Sequence, residues 1–283
     1  MNRKNSNKKG IILLIVALIL IIAVVVGIVI FINNQRYNYE LSEIQDGEFQ
    51  YYKLEKDGKY GVIDRNGNVI IEPTYASIDI PNPTVGLFIK SDDNQNYSAI
   101  NENGEDILTE YDSVEAISIN SITSNVPYEK SVLKYKQNNL YGLIDFEGNK
   151  ITENIYNSIT NIDYKEGNLK VEQNGSYGVI NIKGTTLLNT EYDAIMADGY
   201  YDDESKYENA GFIVRIVTDE GYRFGYADRT GKIILDTLYS EINRITEVDS
   251  EDTYLITASN GRYGLYQNGK QILQIEYTDI SFD

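Results

Sequence analysis

One pattern recurs six times along the chain. A fixed internal period constrains folding more tightly than any local propensity, because every unit must fold alike and stack on its neighbours. The first copy reads KYGVIDRNGNVIIEPTYASI from Lys59 to Ile78. It returns as NYSAINENGEDILTEYDSV from Asn96, LYGLIDFEGNKITENIYNSI from Leu140 and SYGVINIKGTTLLNTEYDAI from Ser176. The last two copies are RFGYADRTGKIILDTLYSEI from Arg223 and RYGLYQNGKQILQIEYTDI from Arg262. Their leading aromatics, Tyr60, Tyr97, Tyr141, Tyr177, Phe224 and Tyr263, stand 37, 44, 36, 47 and 39 residues apart.

Each copy reads as β structure. After the leading aromatic, Tyr60, Val62 and Asp64 alternate with Gly61 and Ile63, the period of a strand. A turn glycine follows at Gly67, Gly104, Gly148, Gly184, Gly231 or Gly269. Asn precedes it at Asn66, Asn103 and Asn268, giving a dipeptide that favours tight hairpins. A second strand, such as Val69 to Ile71 or Ile233 to Leu235, leads to a second aromatic: Tyr75, Tyr111, Tyr156, Tyr192, Tyr239 or Tyr277. A short apolar piece comes next, such as Ile78 to Ile80, and a further strand precedes the following leading aromatic, such as Leu87 to Lys90. The unit therefore holds three clear strands and one short one. Glycine beside the leading aromatic (Gly61, Gly142, Gly178, Gly225, Gly264) weakens a strand unless another backbone or ring approaches closely. The second copy has Ser98 there, which predicts a looser contact in that repeat.

These copies resemble the bacterial WG (KWG) repeat family, whose core runs roughly [KL]-W-G-[VL]-I-[DN]-x-x-G. KYGVIDRNGNVIIEPTYASI is similar nearly throughout, and NYSAINENGE is the most diverged. The signature Trp is Tyr or Phe in all six copies, and the chain contains no Trp at all. The resemblance implies a β-repeat module of bacterial surface and envelope proteins and supplies no catalytic residues. About four strands per 40 residues, six times over, is the arithmetic of an all-β, six-bladed β-propeller, with an open β-solenoid as the alternative. Tyr39 to Ile44 (YELSEI) is similar to the blade-ending stretch Tyr239 to Ile242 and reads as an extra partial copy.

Residues 11–32 form an uninterrupted apolar run of 22 residues. At about 1.5 Å per residue this is roughly 33 Å of helix, enough to span a ~30 Å hydrocarbon core. Arg3, Lys4, Lys8 and Lys9 precede it, so the positive-inside rule keeps the N-terminus in the cytoplasm and exports everything after Ile32. The run is longer than a signal-peptide core and closes on bulky Val29 to Ile32, which reads as an uncleaved anchor. Ala23 and Gly27 form a single small-xxx-small pair, short of an argument for helix pairing. The expected organisation is a cytoplasmic tail at 1–10, a transmembrane anchor at 11–32, a linker at 33–47 and an exported repeat domain at 48–283. Localisation is then the cell membrane, single pass, with the C-terminal domain outside. The net charge of −18 divides into +4 on the tail and −22 on the exported part, since 43 acidic residues face 25 basic ones.

The absence of Cys and His excludes thiolate zinc sites, disulfides, Ser-His-Asp catalysis and HExxH metalloprotease chemistry. The acidic balance excludes a phosphate-neutralising nucleic-acid surface. Gly264 to Gln271 mimics a phosphate loop but lacks the closing Ser or Thr and folds as a hairpin. Ser91 to Asn94, with Asp64, Asn66 and Asn68, is rich in oxygen ligands yet lacks calcium-loop spacing. No catalytic residue, cofactor or metal is expected, although paired carboxylates remain formally available among so many acids. Insertions gather between the short strand and the strand after it, at Ser118 to Glu129, Met196 to Gly211 and Thr246 to Asp252. The longest carries Tyr200, Tyr201, Asp202, Asp203, Glu204 and Tyr207, an acidic aromatic lip suited to sugar stacking, cationic peptides or Ca²⁺, or else a plain solvated loop. The repeated Tyr side chains read as packing layers with hydroxyls on backbone partners. The expected function is a membrane-anchored, non-catalytic scaffold for an envelope protein, peptide or glycan. The alternatives are a carboxylate-based glycan-active enzyme and a structural spacer or assembly factor.

Overall fold

The computed structural model describes residues 49–119, 126–162, 167–201, 207–244, 253–258, 261–267 and 269–280. The anchor at 11–32, the partial copy at 39–44 and the third insertion lie outside them. Among the described residues no helix is long and apolar enough to cross a membrane.

The structure is all-β, built from six small antiparallel sheets. Sheet one holds β1 (Tyr51–Lys56), β2 (Lys59–Asp64) and β3 (Val69–Tyr75). Sheet two holds β4 (Ser77–Asp79), β5 (Leu87–Ser91), β6 (Ser98–Asn101) and β7 (Asp106–Ile107), and sheet three β8 (Ser113–Glu115), β9 (Leu133–Gln137) and β10 (Leu140–Ile144). Sheet four comprises β11 (Ser158–Asn161), β12 (Asn168–Gln173), β13 (Ser176–Asn181) and β14 (Thr186–Tyr192). Sheet five comprises β15 (Ala194–Tyr201), β16 (Tyr207–Thr218), β17 (Gly221–Asp228) and β18 (Ile233–Tyr239). Sheet six closes the series with β19 (Glu241–Arg244), β20 (Thr253–Thr257), β21 (Tyr263–Gln267) and β22 (Lys270–Tyr277). Strand order follows chain order in every sheet, so all connections are hairpins. Two-residue turns with positive φ, at Asp57–Gly58, Asn138–Asn139 and Asn174–Gly175, match the right-handed strand twist.

The sheets are out of phase with the sequence repeat. The short piece ending each copy is the first strand of the next sheet, so every sheet after the first is built from two copies. Each insertion consequently falls within a single sheet (three, five or six), in the connection between its first and second strands.

A three- or four-stranded sheet cannot bury its own faces, and period-2 alternation sends successive residues to opposite neighbours. In β2, Val62 packs toward sheet two with Ile78, Phe88 and Ile100. In β6, Ala99 turns to sheet three and Ile100 back to sheet one. Leu143 and Ile144, Val179 and Ile180, and Tyr226 and Ala227 repeat that division. Five clusters thus join the six sheets in series.

The turn glycines hold a second seam. All six have positive φ, between 76° and 92°. A β-carbon on Gly148 would meet Leu108, one on Gly184 would meet Ile151 and Thr152, and one on Gly231 would collide with the Leu187 carbonyl oxygen. Gly104 lies against Ile71 and Gly269 against Ile234, so each of these five turns rests on the preceding copy. Gly67, in the first copy, has open space around it. Gly67→Ala should therefore cost only the left-handed strain, about 1–2 kcal/mol. Gly231→Ala should add an overpacking penalty of about 1–3 kcal/mol. Denaturant unfolding of the two variants will measure the difference, and equal losses would contradict this seam.

Candidate functional site

In the first five copies the turn is locked by the acid or amide four residues before the end of its loop. The Asp64 carboxylate accepts the N–H groups of Asn66 and Asn68, both at 2.8 Å, and the Asn68 side-chain amide. Asn101, Asp145, Asn181 and Asp228 do the same in their copies. Asp93 accepts from the backbone of Gln95 and Asn96 and from the Asn96 amide. The oxygen-rich stretches noted in the sequence are thus engaged in turn formation.

The two aromatics of a copy face each other across the ladder: Tyr60 with Tyr75, Tyr141 with Tyr156, Tyr177 with Tyr192, Phe224 with Tyr239 and Tyr263 with Tyr277. Immediately beyond each regular pair the outer strand bulges, Val62 pairing with Ile71 where Tyr60 pairs with Tyr75. The bulge arcs over the intervening glycine. A β-carbon on Gly178 or Gly225 would stand 2.7 Å from the Leu188 or Leu235 carbonyl oxygen, and one on Gly142 2.6 Å from the Tyr135 ring. Lysines cover the leading rings, with Lys53 5.0 Å from the Tyr60 centroid, Lys134 5.1 Å from Tyr141 and Lys170 5.6 Å from Tyr177. The tyrosine hydroxyls divide between backbone, as the sequence suggested, and carboxylates: Tyr52, Tyr97 and Tyr135 donate to the carbonyls of Phe49, Asn94 and Thr152. Tyr51 donates to Glu102 at 2.6 Å, Tyr128 to Asp79 at 2.6 Å, Tyr226 to Asp198 at 2.9 Å and Tyr141 to Glu115 at 3.3 Å. The bond to Glu102, with burial and nearby charge, pushes the Tyr51 phenol up to about 12.

The second copy departs from this rule. From turn glycine to second aromatic it has seven steps, Gly104 to Tyr111, where the other five have eight. One residue fewer leaves no bulge, and Ser98 occupies the glycine position. The outer strand β7 stops at Ile107, Leu108 is forced to φ 56°, and the ladder ends without pairing Tyr97 to Tyr111. Between them opens a groove of about 260 Å³, lined by Lys90, Tyr97, Asp106, Thr109, Tyr111 and Asp112 among others. Lys90 pairs with Asp106 at 2.7 Å and lies 5.2 Å from the Tyr75 ring centroid. Partial burial alone would lower the Lys90 pKa, but Asp106 and the neighbouring acids outweigh it and hold the ammonium charged. Asp112 accepts the Asn138 N–H at 2.8 Å, and Tyr111 lies against Tyr135 at a tilt of 44°, with centroids 4.5 Å apart. Both groove carboxylates therefore hold structural partners. The sequence signal for this site was the missing residue together with Ser98.

The acidic insertion is placed differently. Tyr200, Tyr201 and Tyr207 belong to a ribbon that prolongs β15 and β16 beyond a bulge at Asp198–Gly199, pairing Tyr201 with Tyr207. Asp202, Asp203 and Glu204 lie outside the described residues. The insertion Ser118 to Glu129 is anchored at its ends: Ile119 and Val126 are buried, and Ser118 bridges Tyr128. Glu129, fully buried, accepts the Gly167 N–H at 2.9 Å.

Two segments, 60–80 and 224–247, match the WG containing repeat. They are the first and fifth copies. No curated protein matches the chain. Among solved structures, the crystal structure of BBS1N in complex with ARL6DN, soaked with lead, is similar over 78% of this chain and 75% of that one, at 9% identity and a TM-score of 0.26.

The turn carboxylates make the fold acid-sensitive. Backbone donation from Asn96 and Gln95 and the Asn96 amide bring Asp93 down to about 2. At Asp64 and Asp145 slight desolvation opposes the turn hydrogen bonds, which prevail and lower both pKa values. These groups favour the folded state above their unfolded pKa of about 3.9, and that contribution is lost as pH falls through the folded values. The thermal midpoint should drop between about pH 4 and pH 2, less steeply in Asp93→Asn, as calorimetry across that range will show.

Proposed function

We propose that this protein is a single-pass membrane protein whose exported repeat domain is a non-catalytic scaffold binding an envelope glycan. The six sheets act as blades of a propeller, their short first strands turned to the hub. The observation that carries this reading is the groove in sheet two, the place where a six-fold pattern is broken. Sites that violate a fold's own local rule are where function concentrates. Two tyrosine rings in the groove wall, a charged lysine and two oriented carboxylates offer stacking and hydrogen bonds to one sugar unit. The apolar run at 11–32 and the basic residues before it support the anchor and its orientation.

Two experiments test these parts separately. The full-length protein in detergent should bind purified wall glycan, and Tyr97→Ala should weaken binding about tenfold, or roughly 1.4 kcal/mol. Unchanged binding, or binding to peptides alone, would refute the glycan reading. Because the chain has no Cys, single substitutions report topology cleanly. An impermeant thiol reagent on intact cells should label Gln95→Cys and leave Asn5→Cys untouched until the cells are lysed.

A further inference from the structure

An Asn followed by Gly can react with its own backbone. The glycine nitrogen attacks the Asn side-chain amide, and with no β-carbon on the glycine nothing hinders the approach. Asn66–Gly67, Asn103–Gly104 and Asn174–Gly175 are such pairs among the described residues, and two more, at 260–261 and 268–269, begin outside them. All six residues of the three described pairs are exposed, so exposure does not separate the sites. Hydrogen bonding does.

In the first two pairs the glycine closes the turn. The Gly67 N–H donates to the Asp64 carbonyl and the Gly104 N–H to the Asn101 carbonyl, both at 3.0 Å. Attack requires that proton to leave, and a hydrogen bond to a carbonyl holds it in place. Asn174–Gly175 belongs to the other class of turn, the two-residue link between β12 and β13 closed by the pairing of Gln173 with Ser176. The Gly175 N–H takes no part in that closure and has no acceptor among the described residues. The Asn174 side-chain amide makes no hydrogen bond there either, while its backbone N–H donates to the Asn157 side chain at 2.8 Å. A β-carbon on Gly175 would meet nothing within 4 Å, so a cyclic imide has room to form. The other two turns of this class carry Asp57–Gly58 and Asn138–Asn139, and neither joins an Asn side chain to a glycine nitrogen.

We propose that Asn174 is a site of spontaneous covalent modification, through which the hairpin of sheet four ages. Hydroxide removes the Gly175 N–H proton, and the nitrogen attacks Cγ of Asn174. The N–Cγ bond forms, the Cγ–Nδ2 bond breaks, and ammonia leaves with a proton taken back from water. Water then opens the imide at either carbonyl, giving aspartate or an isoaspartate whose backbone runs through Cβ and Cγ. The isoaspartate inserts an extra methylene into a turn of only two residues. Left-handed backbone at Asn174 (φ 53°) and Gly175 (φ 83°) sets Gln173 against Ser176, and the added atom removes that match. It also draws the Asn174 N–H away from Asn157, which lies directly before β11 of the same sheet. Both products add a negative charge to a chain already at −18.

The test keeps the full-length protein folded in detergent and mildly alkaline buffer, with samples digested over time and read by mass spectrometry. The peptide holding Asn174 should convert from amide to acid about tenfold faster than those holding Asn66 and Asn103, the ratio one retained hydrogen bond supports. In denaturant the turns are gone and the three rates should converge. Asn174→Gln should abolish conversion at this position, leave the other two unchanged and hold its thermal midpoint on ageing while the parent loses its own. Equal rates in the folded protein, or a ratio that persists in denaturant, would overturn the assignment. An unchanged midpoint in the fully converted parent would overturn the loss of register.

Discussion

A sheet of three or four strands has two faces to hide and no second layer of its own. Everything else in this protein depends on how that problem is solved between neighbours. The third strand of sheets two to five places adjacent residues, such as Leu143 and Ile144, on opposite sides, one core toward each neighbour. The first strand comes from the preceding copy, so the covalent chain crosses each interface that the side chains fill. Packing and connectivity reinforce one another at the same place. With no disulfide possible, this serial burial is the main source of stability.

The glycine and the bulge above it are two halves of one device. The bulge lets the two aromatics of a copy meet across the ladder, and only a residue without a β-carbon fits beneath it. Removing one residue from the bulge removes the reason for the glycine. The second copy shows both changes together, Ser98 and the shortened loop, and exchanges an aromatic pair for a groove. A small edit in a repeated unit has produced local asymmetry without disturbing the interfaces on either side.

Much of this was legible in the sequence. The period, the turn glycines and the strand order follow from spacing and from backbone geometry that leaves few options. Phase was not legible, because a periodic sequence has no intrinsic starting point and a sheet may begin anywhere within the unit. Backbone partners hold for the hydroxyls of Tyr52, Tyr97 and Tyr135, whereas the carboxylate partners Glu102, Asp79 and Asp198 were not legible because they are distant in sequence and arrive only through folding. The groove could have been found by counting from Gly104 to Tyr111, since the aromatics that define the copies conceal a deletion lying between them. The acidic insertion looked like a loop because its length gives no sign that Tyr200 and Tyr207 prolong two existing strands.

The offset between copies and sheets bears on how such a chain can change length over evolutionary time. A duplication or loss of one unit cuts two sheets, not one, but the ends it joins carry the same pairing register as those it separates. Each new junction therefore regenerates a complete sheet from two half-contributions, wherever within the unit the break falls. Gain or loss of a whole copy is thus a structurally conservative event, whereas a single-residue deletion within one, as between Gly104 and Tyr111, is the more consequential mutation.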